Sequence, residues 1–442
     1  MDIEGIFRIR LNDPKLNTSY PLNPVDWAKY KIEKKHPFLT KEALSFYIHI
    51  PFCTSICSFC EYTKMLNPNE QLQFTYLKTL ERDIKEFIIK HPDITLFGFD
   101  IGGGTPTALS EDNFAYLIDI FKNTVNTVKL SQDFEPSIEA TFNTLSLEKL
   151  RKIHKAGINR ISLGIQSTQK EVLSINKRDA IPLKVIKKWI SIIKHFGIQK
   201  INLDFMYGLK GQSIKEIELD IAILKELNVE QVTLYELRTN IIKYEKGKIS
   251  REKLFESYLY LYNNLIKLGY FAQFGQNTFS LNQKDLGVSS YLRNRMIKAM
   301  AYKGFGVSAQ SMNQYGISYN IGKNKTKLSN YIKQNSFEMK EFYKLPKREL
   351  LSKYIAISGY YGRFSIDIAS EILSEDFYTV FRAEIDFCIK NKLIEIKNKD
   401  IRITHKGFKN YGTVFSLFFI SNYYGDSTEQ PTAAMPNKGL EG

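Results

Sequence analysis

Six apolar, β-rich segments recur at residues 45–50, 95–102, 136–141, 160–165, 200–207 and 231–237, with stretches of helical periodicity between them, as at 76–80 and 146–150. Strands alternating with helices through right-handed crossovers build a parallel sheet, which fixes the fold class as α/β. One helix is expected from Ser213 to about Asn228, because Ser213 can serve as its N-cap and Glu216, three residues on, completes a capping box. Periodicity leaves open whether the sheet is doubly wound or curled into a barrel.

The polar residues choose between those shapes. Three of the four cysteines follow the first strand within eight positions, as Cys53, Cys57 and Cys60. The run Gly102-Gly103-Gly104-Thr105-Pro106-Thr107 ends the second strand, and Glu139 lies near the end of the third. Gln166 ends the fourth, Asp204 lies in the fifth and Glu236 is near the end of the sixth. Polar groups at the C-terminal ends of successive strands converge on one mouth, the usual site of a β/α barrel. Six units rather than eight imply a partial, open barrel.

Thiolates are soft ligands that suit zinc, Cu(I) and iron–sulfur clusters. A structural zinc would take His49 as its fourth donor. A cubane held by three cysteines leaves one iron open to a substrate or cofactor. The C-x3-C-x2-C spacing favours the open cluster and keeps zinc as the alternative. Cys388 stands apart at a helical core spacing and reads as a small buried apolar residue, so no disulfide framework is expected.

At 442 residues the chain has room for two or three domains. No apolar run reaches a membrane span, and the N-terminus lacks signal-peptide regions; the expectation is a cytoplasmic protein with no membrane partner. The net charge of +15 is carried by scattered lysines, such as Lys187, Lys188, Lys194 and the pair in 323–325. A solvated lysine-rich surface is the plain reading and a positive pocket for a polycarboxylate the functional one; nucleic acid is not the expected partner. The expected organisation is a polar lead-in over 1–42, with turn signals at Asn12-Asp13-Pro14 and Asn23-Pro24, then a barrel over 43–270. A mixed extension over 271–340 should cover the barrel's open side. Residues 341–425 form a separate unit with helical patterns at 347–360 and 376–391, strand-like runs at 392–396 and 400–404 and a last helix opening at Lys406-Gly407. A disordered tail over 426–442 follows.

Tyr47-Ile48-His49-Ile50-Pro51-Phe52-Cys53, with Cys57, Cys60 and the glycine run, resembles the radical S-adenosylmethionine superfamily, in particular the branch of oxygen-independent coproporphyrinogen III oxidase. The stretches at 160–167, 202–209 and 304–309 match the same branch, and the resemblance runs from about 45 to 420. It implies a partial (β/α)6 radical-SAM barrel with a C-terminal winged-helix-like α+β domain. It also implies a [4Fe–4S] cluster on Cys53, Cys57 and Cys60, whose open iron chelates S-adenosylmethionine and cleaves it to a 5′-deoxyadenosyl radical. An electron donor such as flavodoxin or ferredoxin would supply the reduction. The implied activity is that of a radical SAM oxidoreductase acting on a tetrapyrrole or related small anionic molecule.

By the same resemblance, Tyr47, Gly104 and Glu139 match contacts to the cluster-bound S-adenosylmethionine, with Gly103 and Thr105 in the run that lets backbone approach it. Gln166, Arg178 and Asp204 match positions that hold a second S-adenosylmethionine, although Arg178 and Asp204 could simply pair with each other. Phe59 and Tyr62 flank the last cysteine and suit either adenine packing or ordinary core packing. The chain also departs from the branch. Tyr62 stands where the oxidase has a further cysteine, and Tyr291-Leu292-Arg293-Asn294-Arg295-Met296 lacks the His and Trp of the haem-chaperone relatives. Two alternatives therefore stand beside the oxidase-like reading: a two-SAM radical methyltransferase or cyclopropanase, and a non-catalytic haem carrier.

Overall fold

The computed structural model describes residues 2–12, 24–60, 62–237, 249–321, 332, 336–337 and 341–419. Six strands lie side by side in chain order: β1 (Ala43–Ile50), β2 (Thr95–Gly103), β3 (Pro136–Ala140), β4 (Arg160–Gln166), β5 (Lys200–Tyr207) and β6 (Gln231–Glu236). Each runs parallel to the next. The crossovers carry α1 (Glu70–Lys90), α2 (Glu111–Thr127), α3 (Leu147–Lys155), α4 (Leu183–His195) and α5 (Ile214–Leu227), and α6 (Arg251–Lys267) follows β6. Alternation along the strands sorts the side chains. Phe46, Ile48, Phe99, Ile101, Ile138, Ile161, Leu163, Leu203 and Val232 are buried in the main apolar core. Each such side chain contributes roughly 1.5–3 kcal/mol on leaving water. Their neighbours Tyr47, His49, Asp100, Glu139, Ser162 and Asp204 take the opposite, concave face.

Local rules hold where the sequence states them strongly. The Ser213 hydroxyl accepts from the Lys215 N–H, and the Ser213 N–H donates to Glu216 at 2.8 Å, so α5 opens on the expected capping box. Asn228 closes it in a left-handed conformation.

The sheet is open and mixed. Beyond β6, β7 (Thr278–Ser280) adds antiparallel. On the other edge β8 (Ala301–Phe305) adds parallel to β1, followed by the antiparallel β9 (Gln310–Asn313), β10 (Gly316–Tyr319) and β11 (Phe342–Lys344). Much of the segment expected to cover the open side thus lengthens the sheet instead. What enters the hollow is a short helix, α7 (Ser290–Met296). Gly98 makes room for it, since a Cβ there would lie 2.4 Å from the Tyr291 nitrogen. Ser289 Oγ donates to Asp100 at 2.6 Å, and Asn294 Nδ2 donates to the Phe97 carbonyl at 3.0 Å.

The region ahead of β1 is more than a lead-in. A helix over Ile3–Asn12 packs Phe7 on Phe387 with ring centroids 5.5 Å apart. Trp27 is buried and donates its indole N–H to Glu349 at 3.1 Å. Lys31–Ile32 pairs with β11. Apolar Ile3, Ile6 and Phe7 on one helix face explain the docking. The turn signal at Asp13-Pro14 and Asn23 lies outside the described residues.

After β11 come α8 (Lys347–Ser358), β12 (Arg363–Ser365), α9 (Ile366–Leu373), α10 (Phe377–Val380), α11 (Arg382–Lys390), β13 (Ile394–Lys397), β14 (Asp400–Ile403), α12 (His405–Phe408) and α13 (Tyr411–Ser416). The hairpin β13–β14 is the expected one, and β12 joins it as a third strand. Helix α9 and β12 were not legible in the pattern. Cys388 is fully buried on α11, as its spacing indicated. The tail at 426–442 lies outside the described residues. No helix among the described residues is long and apolar enough to cross a membrane.

Candidate active site

The polar ends of the strands meet around the loop that follows β1. Cys53 is buried there, Cys57 and Cys60 are partly exposed, and all three thiols are free. The loop is tied at several points. The Asn67 N–H donates to the Cys53 carbonyl at 2.9 Å, Lys64 Nζ to the Cys60 carbonyl at 2.7 Å, and Ser58 Oγ to the Asn176 carbonyl at 2.8 Å. Arg178 Nη1 lies 3.1 Å from Cys57 Sγ, while its Nη2 donates to the Gly164 carbonyl at 2.6 Å. Burial pushes the Cys53 thiol up to about 11. A thiol so held needs a positive counterpart, a metal above all, to become a thiolate.

His49 is not free to act as the fourth donor of a single zinc. Both nitrogens of His49 have partners, Nε2 at 3.0 Å from the Thr63 carbonyl and Nδ1 at 3.4 Å from Tyr47 Oη. Its burial lowers the imidazole to about 4 and keeps it neutral. Among the described residues, no three His, Cys, Asp or Glu side chains are drawn around one point that a single ion could fill.

The glycine run abuts the thiols. The Gly104 and Thr105 N–H groups donate to the Ile50 and Phe52 carbonyls at 2.8 and 2.7 Å. A Cβ on Gly104 would sit 2.8 Å from Cys53 Sγ. Gly103 has φ +120°, and a Cβ there would meet the His49 ring at 2.6 Å. The space these glycines spare is therefore closed by protein atoms, which differs from a role in which Gly103 simply leaves room for a ligand.

Glu139 is open to the hollow of the sheet yet surrounded by protein. That confinement, with the nearby Asp204 and Asp100, pushes its carboxyl up to about 8 against the opposing Gly103 N–H, which donates to it at 3.1 Å. Asp204 is raised chiefly by burial and accepts from Ser162 Oγ at 3.1 Å and Asn202 Nδ2 at 2.8 Å. It does not pair with Arg178. Gln166 has φ +60°, and its Oε1 is buried without a partner, one edge of the side chain facing the Gly164–Arg178 contact. Gln166 and Arg178 are thus brought together, with Asp204 one strand further on.

The aromatic residues divide. Phe59 packs against Val172, Leu209 and Leu237 in a small apolar cluster, which is core packing. Tyr62 is 60% exposed at the rim, and Tyr235 on β6 is 37% exposed on the hollow side. Tyr47 stacks on Tyr291 of α7 at 5.6 Å. Tyr235, Tyr291, Lys64 and Asn176 escaped sequence reasoning; Tyr235, directly before Glu236 on a strand of known register, was the one that period-two counting could have found. Glu236 is committed to Arg251, with Tyr207 Oη donating to it at 3.3 Å. A surface concavity of about 360 Å³ lies behind Arg178, lined by Lys170, Ser174, Lys177 and Asp179.

Free thiols on a loop after the first strand, a glycine run against them and acids at the C-terminal edge of an open α/β sheet define a class of protein that holds a cofactor at the mouth of a partial barrel. The family model described as "Radical SAM superfamily" matches residues 47–224. Residues 47–224 thus match a radical SAM domain, and the relatives and the fold together support a likeness to the branch of oxygen-independent coproporphyrinogen III oxidase. Relatives include the heme chaperone HemW of Bacillus subtilis, 36% identical over 197 residues that make up 44% of this chain and 50% of that protein. HemW of Lactococcus lactis is 27% identical over 86% of this chain and 98% of that protein. The oxygen-independent coproporphyrinogen III oxidase of Salmonella typhimurium is 28% identical over 43% of this chain and 41% of the oxidase. Against the Bacillus and Buchnera chaperones, the chain spans about half the length of the relative. Coproporphyrinogen III oxidase (HemN) from Escherichia coli shares the fold, with a TM-score of 0.69 at 22% identity over 86% of this chain and 91% of that one.

Proposed function

We propose that the chain is a radical SAM enzyme whose cluster is held by Cys53, Cys57 and Cys60 and whose substrate is a tetrapyrrole or a related anionic molecule. The observation that carries this is three free thiols, one abutting Gly104, opening onto a confined hollow that presents Glu139, Gln166 and Asp204. A [4Fe–4S] cluster with S-adenosylmethionine, when bound, supplies one-electron radical chemistry to a substrate in that hollow. The chain's own residues do the positioning. Arg178, fixed on the Gly164 carbonyl, orients Cys57 and offers its remaining donors to a carboxylate. Glu139 and Asp204 are suited to an amino group or ribose hydroxyls, Tyr47 lines the same space, and the unpaired Gln166 Oε1 awaits a donor. Gln166, Arg178 and Asp204 together suit a second S-adenosylmethionine.

The test is anaerobic reconstitution followed by reduction with dithionite. About four irons per chain and release of 5′-deoxyadenosine are expected; Cys57→Ala should lose both, and Cys388→Ala neither. A full cluster in Cys57→Ala would sink the assignment. Substrate-dependent S-adenosylhomocysteine in amounts comparable to 5′-deoxyadenosine would move the reading to methyl transfer. A second reading, haem carriage, is favoured by the likeness to the HemW heme chaperones. Stoichiometric haem uptake by a reconstituted protein that releases no 5′-deoxyadenosine with any tetrapyrrole offered would favour it over catalysis.

A further inference from the structure

Arg295, on α7 inside the hollow, is a cation without an anion. Nη1 lies 3.3 Å from Tyr291 Oη and Nη2 donates to Gln310 Oε1 at 3.0 Å, both neutral groups. Its Nε is sealed from solvent with no acceptor at all. The guanidinium carbon sits 4.6 Å over the Tyr302 ring and 5.9 Å over Tyr291. The ionisable groups that act on it most strongly are Tyr291, Tyr302 and, at the rim, Tyr62. No Asp or Glu pairs with it among the described residues. Other guanidiniums near this hollow are satisfied differently: Arg160 bonds Gln231 and Ser137, and Arg251 pairs with Glu236.

A confined charge is normally paired or bound to a ligand, because holding it with neutral partners alone is costly. Cation–π contacts offset only part of that cost. Two of the five guanidinium N–H groups are engaged, so donors remain, and the side chain keeps partial exposure. Tyr291, which cradles the guanidinium, stacks in turn on Tyr47, whose ring lies beside Glu139 and Tyr62. The cation therefore shares the hollow with the proposed cofactor residues but belongs to a different wall. An unpaired guanidinium between tyrosine rings matches a carboxylate attached to a flat, conjugated body: the fork takes the anion and the rings take the body.

We propose that Arg295, flanked by Tyr291 and Tyr302, is a carboxylate-binding subsite that selects the substrate. This rests on the reading of the hollow as a substrate chamber and names the group recognised there. The test uses coproporphyrin III and its tetramethyl ester, which differ in charge but not in ring, titrated into the intact protein and followed by porphyrin fluorescence. Arg295→Gln should weaken binding of the acid at least about tenfold and leave the ester unchanged. Arg295→Lys, which keeps the charge and loses the fork, should fall between. Equal affinities of wild type and Arg295→Gln for the acid, or equal losses for acid and ester, would overturn the proposal. If Arg295→Gln does not fold, as judged by its thermal transition, the acid-to-ester ratio of Arg295→Lys against wild type decides, an unchanged ratio being the negative result. The readout is independent of turnover: an Arg295-dependent acid preference in a protein that yields no 5′-deoxyadenosine would retain the subsite and refute the catalytic reading.

Discussion

At the scale of single residues, the carboxyl of Glu139 is held well above the ordinary carboxylate range by its surroundings in the hollow. Its ionised form is disfavoured in the fold, so the stability it contributes is fully present below the ordinary carboxylate pKa. That stability is lost as pH rises toward about 8. Asp100 acts in the same direction, burial raising it to about 7. The cofactor-free protein should therefore lose thermal stability between about pH 5 and 8, and Glu139→Gln should flatten that decline. The check is the melting temperature of wild type and variant across that range; parallel curves would show that Glu139 does not carry the effect. Because Glu139 is open to solvent in the hollow, water screens part of the penalty and the gap should be modest. His49 opposes the trend: burial lowers it to about 4, and its contribution is lost as pH falls below about 6.5. Cysteines 53, 57 and 60, and the acids at strand ends, were legible because their types and spacing are rare. Arg295 was not legible as a site residue. An arginine in the last turn of a short helix has no local signature, and only the folded chain shows that no Asp or Glu among the described residues pairs with it.

At the scale of elements, the parallel strands were the most readable part. Buried on one face and lined with polar groups on the other, β1, β2, β5 and β6 fall within two residues of the apolar runs in the sequence. Their order follows from the crossover rule. Helix α5 was equally readable, since its start is written in side chains that satisfy the helix's own backbone. Ser213→Ala should cost about 1 kcal/mol by removing the cap, measurable as a lower denaturant midpoint with unchanged slope. A midpoint within error of wild type would mean that packing of Ile217 and Leu224 holds the first turn without it. The edge strands β9 to β11 were hidden because each is only three or four residues long; β9 and β10 form a tight hairpin, and β11 joins it from further along the chain. Such short strands gain their definition from register with a neighbour rather than from a pattern of their own. The docking of α7 was hidden for the same reason, since it depends on the space at Gly98.

At the scale of the whole molecule, the question is whether the C-terminal segment behaves as a separate unit. Its hairpin and helices have the look of a self-contained module, and composition alone reads them so. The contacts argue otherwise. Phe274 stacks on His405 with centroids 3.7 Å apart, and Ser358 Oγ donates to the Met296 carbonyl at 2.6 Å. Gln276 bridges to Tyr361 across the boundary, and a Cβ on Gly362 would meet the Gly275 backbone at 2.8 Å. The buried apolar residues of α8, α11 and α13 belong to the same continuous core as those beneath β1 to β6. The N-terminal helix ties in from the other end, with Arg10 donating to the Ser416 carbonyl and Thr413 Oγ1 donating to the Arg10 carbonyl at 2.9 Å. Units that share one core unfold together, because opening one strips apolar surface from the other. Calorimetry of the cofactor-free chain should therefore give one transition whose calorimetric and van't Hoff enthalpies agree. A chain ending at residue 345 should fail to fold rather than yield a soluble barrel, since Ile355, Phe408 and Phe415 would leave their partners in water. Two resolved transitions, or a stable truncated barrel, would show instead that the C-terminal segment is an appended module, free to serve as a lid that moves on the hollow.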